Sequence, residues 1–217
     1  LSIYGSTESS PHSLVRLNDT REHTEETDGC AVDGVEIRVV DDNRHEVPHG
    51  QEGEEASRGP QVFVGYWGEP EMTARALDAD GWYYSGDYCR TDSEGRYIRI
   101  TGRKKDIIVR GGENISSREV EDIVLEYPGV REAAVVAMPD ERLGERSCAC
   151  VSMRPGAPAM HLTDLVAFFD GRRVAKYKFP EYLVVLDALP RTSSGKLQKF
   201  ALARMVRERV AAGQPSD

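Results

Sequence analysis

Lys196 lies in Pro190-Arg191-Thr192-Ser193-Ser194-Gly195-Lys196-Leu197, a glycine turn with small residues on both sides. That setting puts an ammonium point charge on a flexible stem, on an exposed and mobile arm. The stretch is no P-loop, which needs an upstream glycine and a Ser or Thr directly after the lysine, where Leu197 stands. Gly111-Gly112, followed by Glu113, lets the backbone take positive φ and lets a ligand approach closely. Tyr4-Gly5-Ser6-Thr7-Glu8 brings together an aromatic face, a hydroxyl and a carboxylate, the last being the group a hard cation prefers. Asp87, in Ser85-Gly86-Asp87, is an acceptor-only group when ionised. Arg103 is a permanent charge on a planar fork. Taken singly, each has a plainer explanation: a strand leaving into a turn, a turn glycine, a surface lysine before a helix.

The elements that must hold these groups fall into two halves, meeting at residues 101–121. The charged run from Arg103 to Asp106 has nothing to bury and reads as an exposed joint, so the expected division is 1–104 and 105–217. Before the joint the pattern is β-rich and turn-rich. An apolar start through residue 10 forms a strand and turn. Residues 11–31 are polar and aperiodic and read as loop. Val35, Ile37 and Val39 alternate as a half-buried strand closed by Asp41-Asp42-Asn43. Residues 51–59 read as polar turn, Val62–Trp67 as a further strand and Pro70–Leu77 as one or two helical turns. Asp80-Gly81 and Glu94-Gly95 mark turns around strands at Trp82–Thr91 and Tyr97–Ile100. The first half is expected to be an antiparallel, barrel-like piece.

After the joint, helix and strand alternate. Ile107–Val109 reads as a short buried strand. Ser116 and Glu119 form a capping box. Val120, Ile123, Val124 and Tyr127 share one helical face, which Pro128-Gly129 ends. Strands follow at Glu132–Met138, Ser147–Met153 and Glu181–Leu186. Leu162, Leu165, Val166 and Phe169 form a helical core stripe. Leu202, Met205 and Val206 make a last amphipathic helix, and the tail from Ala211 frays. The fold class is therefore α+β, the second half carrying a three-stranded sheet and helices.

The 217 residues suffice for one domain or two small ones, with a 39 % hydrophobic content that allows a modest core. A net charge of −9 argues against nucleic acid or an anionic membrane as the main partner. Cys30, Cys89, Cys148 and Cys150 have neither C-x-x-C nor disulfide-framework spacing, and Cys148 and Cys150 fall on one side of a strand as small core residues. With no signal peptide or membrane-length apolar run, a reducing, cytoplasmic setting is expected. The chain opens at Leu1 directly on a motif, which reads as a C-terminal portion of something longer.

Four stretches, taken in order, resemble one family. Tyr4-Gly5-Ser6-Thr7-Glu8, Gly86-Asp87, Gly102-Arg103-Lys104-Lys105-Asp106 with Gly111-Gly112-Glu113-Asn114-Ile115, and Pro190-x4-Gly195-Lys196 are similar to the motifs of the adenylate-forming enzymes. These include acyl-CoA synthetases, luciferases and the adenylation domains of peptide synthetases, and the glycine-loop wording resembles the acyl-CoA synthetase branch. The resemblance implies that Tyr4 stacks on adenine, Thr7 meets the phosphates and Glu8 ligates Mg²⁺. It implies that Asp87 accepts from both ribose hydroxyls, that Arg103 contacts the ribose and phosphate region, and that Ile100 is a further nucleotide contact. Lys105 falls at the hinge on which the C-terminal domain turns, whereas Lys104 is read only as a solvated lysine. Lys196 is the implied adenylation lysine, and Gly111, Gly112 and Glu113 the loop that serves thioester formation. Lys176–Pro180 resembles a segment near the CoA nucleotide, although lysines snorkelling over a buried Tyr and Phe explain it as well.

The implied substrates are ATP, CoA and a small carboxylic acid, leaning toward medium-chain or alicyclic acids. A carrier protein in place of free CoA, or a non-catalytic interaction module, are the alternatives. The family's glycine-serine-threonine phosphate loop and acyl pocket have no counterpart in these residues. The chain by itself is therefore expected not to adenylate, its partner being a missing N-terminal domain. Where the family has an apolar strand residue, this chain has Glu55, which makes the strand there irregular by expectation.

Overall fold

The computed structural model describes residues 2–211; Leu1 and the tail beyond Ala211 lie outside the described residues. The chain divides into two compact units, Leu1–Lys105 and Asp106–Asp217.

The first unit holds two sheets. β1 (Ile3–Ser6), β2 (Ser10–Leu14) and β3 (Cys30–Ala31) form a three-stranded antiparallel sheet. β4 (Glu36–Val40), β5 (Gly53–Arg58), β6 (Tyr83–Thr91) and β7 (Ile98–Arg103) form a four-stranded antiparallel sheet in chain order. Neither sheet closes on itself, so the barrel expected from the sequence is instead two open sheets. The expected loop at 11–31 contains β2, β3 and the short helix α1 (Arg21–Glu26), capped by Thr20. Its polarity hid this, because besides Val15 and Cys30 the side chains it buries are His12 and Ser13. β5 likewise replaces the expected turn at 51–59. It buries Glu55, Ala56 and Ser57 in succession, so it shows no two-residue period and carries an acid and a hydroxyl where apolar residues would have announced a strand.

Val62–Trp67 is no strand. Phe63 packs edge-on to Tyr66 and Tyr83, and its N–H bonds the Glu8 carbonyl at 2.7 Å. Gly65, at φ 141°, turns the chain, leaving Val64 98 % and Trp67 100 % exposed. The helix expected next is α2 (Pro70–Ala76), with proline in its first turn.

The second unit is built on five strands rather than three. β8 (Ile107–Arg110) and β9 (Glu113–Ser116) pair as a hairpin, with Arg110 opposite Glu113. β10 (Val130–Asp140) and β11 (Gly144–Met153) form the long central hairpin. β12 (Tyr182–Val185) adds in parallel to β11, and β8 joins through Gly144 opposite Arg110. β9 escaped notice because Glu113-Asn114-Ile115-Ser116 buries only Ile115 and Ser116 partway, too little to show a period.

The sheet is covered on both faces. α3 (Ser117–Leu125) and α4 (Leu162–Asp170) pack with Val135, Ala149 and Val151 in one core. Ala134, Val136, Met138, Cys148 and Cys150 point the other way, against Leu202 and Val206 of α5 (Lys199–Ala211). Alternate residues of β10 and β11 thus enter different cores, which is why both strands read as nearly continuous apolar runs. Cys148 and Cys150 are the small core residues expected. At the start of α3, the Ser116 side chain accepts from Glu119 N–H, which is the N-cap half of the expected box, while the Glu119 carboxylate takes Lys178.

Candidate functional site

In the first unit, β1, β6 and β7 converge three of the expected nucleotide residues. β6 bulges where Glu55 alone opposes Ser85–Asp87, and Gly86 takes φ 71° there. The bulge aims Asp87 at two partners. Its Oδ2 accepts from the Tyr4 hydroxyl at 2.9 Å, and its Oδ1 lies 3.1 Å from Arg103 Nε. Asp87 and Arg103 are direct cross-strand partners, so the pairing register itself brings them together. Asp87 is nearly buried while the Arg103 side chain is more than half exposed, so the guanidinium fork reaches outward from an anchored base.

Burial, then the charges of Glu55 and Asp87, push the Tyr4 phenol far above its usual range and keep it a donor. Ile100 is drawn inward: its side chain joins Val39, Cys89 and Ile98 in the small core on which Tyr4 packs. Its N–H donates to Asp28.

Thr7 and Glu8 sit on the turn between β1 and β2, Thr7 exposed and Glu8 partly so. Burial raises the Glu8 carboxyl, but the hydrogen bond from Tyr66 at 2.9 Å and those around it hold it below the usual carboxylate range. Glu8 is therefore an anion near neutrality, the state a divalent cation needs. Among the described residues there is no cluster of three or more metal-ligating side chains. One carboxylate fits Mg²⁺, which commonly takes a single protein carboxylate and completes its shell from phosphate and water. Tyr66 was missed in the sequence; the aromatic pair Tyr66-Trp67 after a glycine was the available signal.

The joint is a single 3₁₀ turn, Lys104–Asp106, with Lys105 exposed at the boundary of the two units. Lys104 is not the solvated lysine expected. Its Nζ lies 2.8 Å from Asp42 and 3.1 Å from Glu54, and Glu54 also accepts from the Gly86 N–H. The Asp42 hydrogen bond, and Glu54 with it, outweigh partial burial and raise the Lys104 ammonium above its usual value. The residue before the boundary is thereby tied to β5 and to the Gly86 bulge.

In the second unit, Gly111 and Gly112 form the tip of the β8–β9 hairpin. Their φ values of 59° and 90° have the signs a type I′ turn requires at both central positions. Glu113 follows, exposed. Lys196 is exposed too, on a turn tighter than a loose arm. Thr192 N–H donates to the Lys196 carbonyl at 2.8 Å, and Lys196 N–H to Thr192 Oγ1 at 3.0 Å. Arg191 spans the turn to the Gly195 carbonyl and pairs with Glu132. The backbone is pinned while the residue is exposed, with no ion pair from Lys196 to a described residue.

Three positions on, Lys199 was overlooked as one more helix lysine. Its Nζ lies 2.7 Å from Glu121 and 3.6 Å from Asp106, and it donates to Ser117 Oγ at 2.8 Å. Burial raises the Glu121 carboxyl and Lys199 opposes that rise. Lys178 is taken up by Glu119 at 2.6 Å, in keeping with the plainer reading of the Lys176–Pro180 segment.

Residues 1–67 match the family model "AMP-binding enzyme", and residues 119–196 match "AMP-binding enzyme C-terminal domain". The chain belongs to the AMP-binding enzymes. It is 63 % identical over 210 residues to the medium-chain fatty-acid–CoA ligase of Escherichia coli, covering 97 % of this chain and 37 % of that protein. It is 38 % identical to the mitochondrial medium-chain acyl-CoA ligase ACSF2 of Mus musculus, covering 96 % of this chain and 34 % of that one. Among solved structures, ATP-bound MatB from Rhodopseudomonas palustris is similar at a TM-score of 0.87 and 34 % identity, over 95 % of this chain and 40 % of that one. The chain thus spans little more than a third of the curated relatives it matches. Among the described residues, no helix of this AMP-binding chain is long and apolar enough to cross a membrane.

Proposed function

We propose that this chain is the C-terminal part of a cytoplasmic, ATP-dependent acyl-CoA synthetase. The observation that carries the reading is the joined set Tyr4–Asp87–Arg103, assembled from three strands in a chain 63 % identical to a fatty-acid–CoA ligase. In the first half-reaction a carboxylate oxygen attacks the α-phosphorus of ATP, giving acyl-AMP and releasing pyrophosphate. In the second, the CoA thiol attacks the acyl carbon, giving the thioester and releasing AMP.

Tyr4 offers its ring to adenine, and Asp87, held ready by Tyr4 and Arg103, accepts from the ribose hydroxyls. Thr7 meets the phosphates, and Arg103 reaches the ribose and phosphate region. Ile100 acts by backing the Tyr4 ring. Glu8 would hold Mg²⁺, which neutralises phosphate charge when bound. Lys196 places a cation where charge builds as the carboxylate attacks phosphorus. Rotation about Lys105 then exchanges Lys196 for the Gly111–Glu113 hairpin tip, along which the thiol arrives. The remainder of the same protein supplies the triphosphate cradle and the acyl pocket, so these 217 residues alone do not turn over.

In the full-length protein, Lys196→Ala is expected to abolish ATP–pyrophosphate exchange and to spare thioester formation from supplied acyl-AMP. Equal loss of both half-reactions would sink the exchange of the two loops. Supplying either free CoA or a phosphopantetheinylated carrier protein identifies the acceptor.

A further inference from the structure

The first unit buries an acid and a base that the proposed chemistry does not use. His12 on β2 and Glu55 on β5 have no side-chain exposure, and His12 Nε2 lies 3.2 Å from Glu55 Oε1. On its other side, His12 Nδ1 is 3.0 Å from the Ser10 carbonyl and 3.0 Å from Ser9 Oγ. Its ring stands edge-on to Tyr4, with centroids 5.1 Å apart. His12–Glu55 and Tyr4–Asp87 are thus two side-chain links between the same two sheets.

A carbonyl only accepts, so the Ser10 contact is served by hydrogen on Nδ1, and a neutral ring of that tautomer would turn a bare Nε2 lone pair on the Glu55 carboxylate. The other neutral tautomer, with Nδ1 accepting from Ser9 Oγ and Nε2 donating to Glu55, leaves a net negative charge in a dry interior. A second proton on the pair, on the ring or on the carboxyl, removes both faults. Glu55 Oε2 is buried with no hydrogen-bond partner among the described residues, so a lone carboxylate there has nothing else to balance it.

We propose that His12 and Glu55 share this one buried proton, and that it fastens the Tyr4–Glu8 turn to β5 in the position that receives the nucleotide. Loss of the proton to solvent leaves a net negative charge behind Asp87 and loosens the turn. The direction of the His12 shift agrees. Burial alone would lower it, but the hydrogen bond and charge of Glu55 hold it above its usual value. Below the unfolded histidine value the link is complete, and it is lost as pH rises through the raised value. The neighbouring groups do not titrate in that range. Tyr4 and Cys89 are pushed far up by burial and by Glu55, and burial pushes Tyr83 to about 12. The placement of the turn rests on the function proposed above; the shared proton does not.

Two measurements separate them. Ring-nitrogen chemical shifts of His12 and the carboxyl-carbon shift of Glu55, recorded on the whole chain from about pH 6 to 9.5, are expected to show a doubly protonated ring or a protonated carboxyl well above the ordinary histidine value of about 6.5. A neutral ring facing an ionised Glu55 at neutral pH overturns the proposal. In the full-length enzyme, KM for ATP is expected to rise by up to about tenfold per pH unit above the pair's pKa, while kcat stays level. Glu55→Gln is expected to abolish that slope, because its amide donates to neutral His12 at any pH. Should Glu55→Gln not fold, the apolar double change His12→Val with Glu55→Leu is expected to flatten the slope equally. A wild-type slope in the folded variant overturns the proposal. An enzyme with no ligase activity but a retained His12 proton would refute the proposed function alone.

Discussion

Lys199→Met tests whether the turn bearing Lys196 is held by charge. The substitution keeps most of the stem and removes the ammonium that lies 2.7 Å from Glu121 and 3.6 Å from Asp106. Glu121 is then a buried carboxylate with the Val135 N–H at 2.7 Å as its remaining donor. Breaking a buried pair from one side costs about 3 kcal/mol, since the other charge is left without a counterion. For a unit of this size that is roughly 4 °C per kcal/mol, so the unfolding midpoint should fall by roughly 12 °C near neutrality.

The loss should depend on pH in a definite sense. Burial already raises the Glu121 carboxyl, and removal of Lys199 takes away the charge that opposed it. A carboxyl whose folded value is raised favours folding in its protonated form. That contribution is full below the unfolded value of about 4.3 and fades as pH rises through the folded value. The variant should therefore regain stability relative to wild type as pH is lowered toward 5. Glu121→Gln in the same background should restore most of the midpoint at pH 7. Thermal unfolding of the whole chain followed by circular dichroism gives all these numbers. A Lys199→Met midpoint within about 1 °C of wild type at both pH values would refute the reasoning.

Two further outcomes follow from local geometry. Gly112→Val places a Cβ that meets no heavy atom within 4 Å, so its cost is backbone strain at φ 90° alone. That is about 1–2 kcal/mol, read as a midpoint lowered by roughly 4–8 °C; an unchanged midpoint would show that the tip relaxes out of the left-handed region. Tyr66→Phe removes the hydrogen bond that lowers Glu8. The stability lent by a depressed carboxyl is present above its unfolded value and lost as pH falls, so the variant should be weaker by about 0.5–1 kcal/mol near neutrality and equal to wild type in acid. A difference that persists unchanged at low pH would assign it to packing.

The second unit was legible wherever apolar periodicity exists. Val120, Val124 and Leu165 announced their helices, and β10 and β11 their strands, because burial there is apolar. What escaped was held by polar groups. β2 and β5 bury His12 and Glu55, and no hydrophobic scale marks an acid or an imidazole as core. β9 buries a single isoleucine, and its existence depends on the two-glycine turn placing it beside β8. Lys104 and Lys199 looked alike in the sequence, two cations among many. Only the fold brings Asp42, Glu54 and Glu121 to meet them, from positions remote along the chain. Among the proposed nucleotide residues, Asp87 and Arg103 could be named from motifs, but their cross-strand pairing is a property of register at a bulge.

The β8–β9 hairpin begins two residues after Lys105, and its tip follows four strand residues. At about 3.3 Å per residue the tip stands roughly 13 Å from the base of the hairpin. In the proposed swing about Lys105 it behaves as a short crank: about 10° of turn carries the glycines through roughly 2 Å, comparable with the margin that decides whether a reacting atom is aligned. On that proposal, an arm so short and so tied by ladder bonds gives fine control of position in exchange for reach.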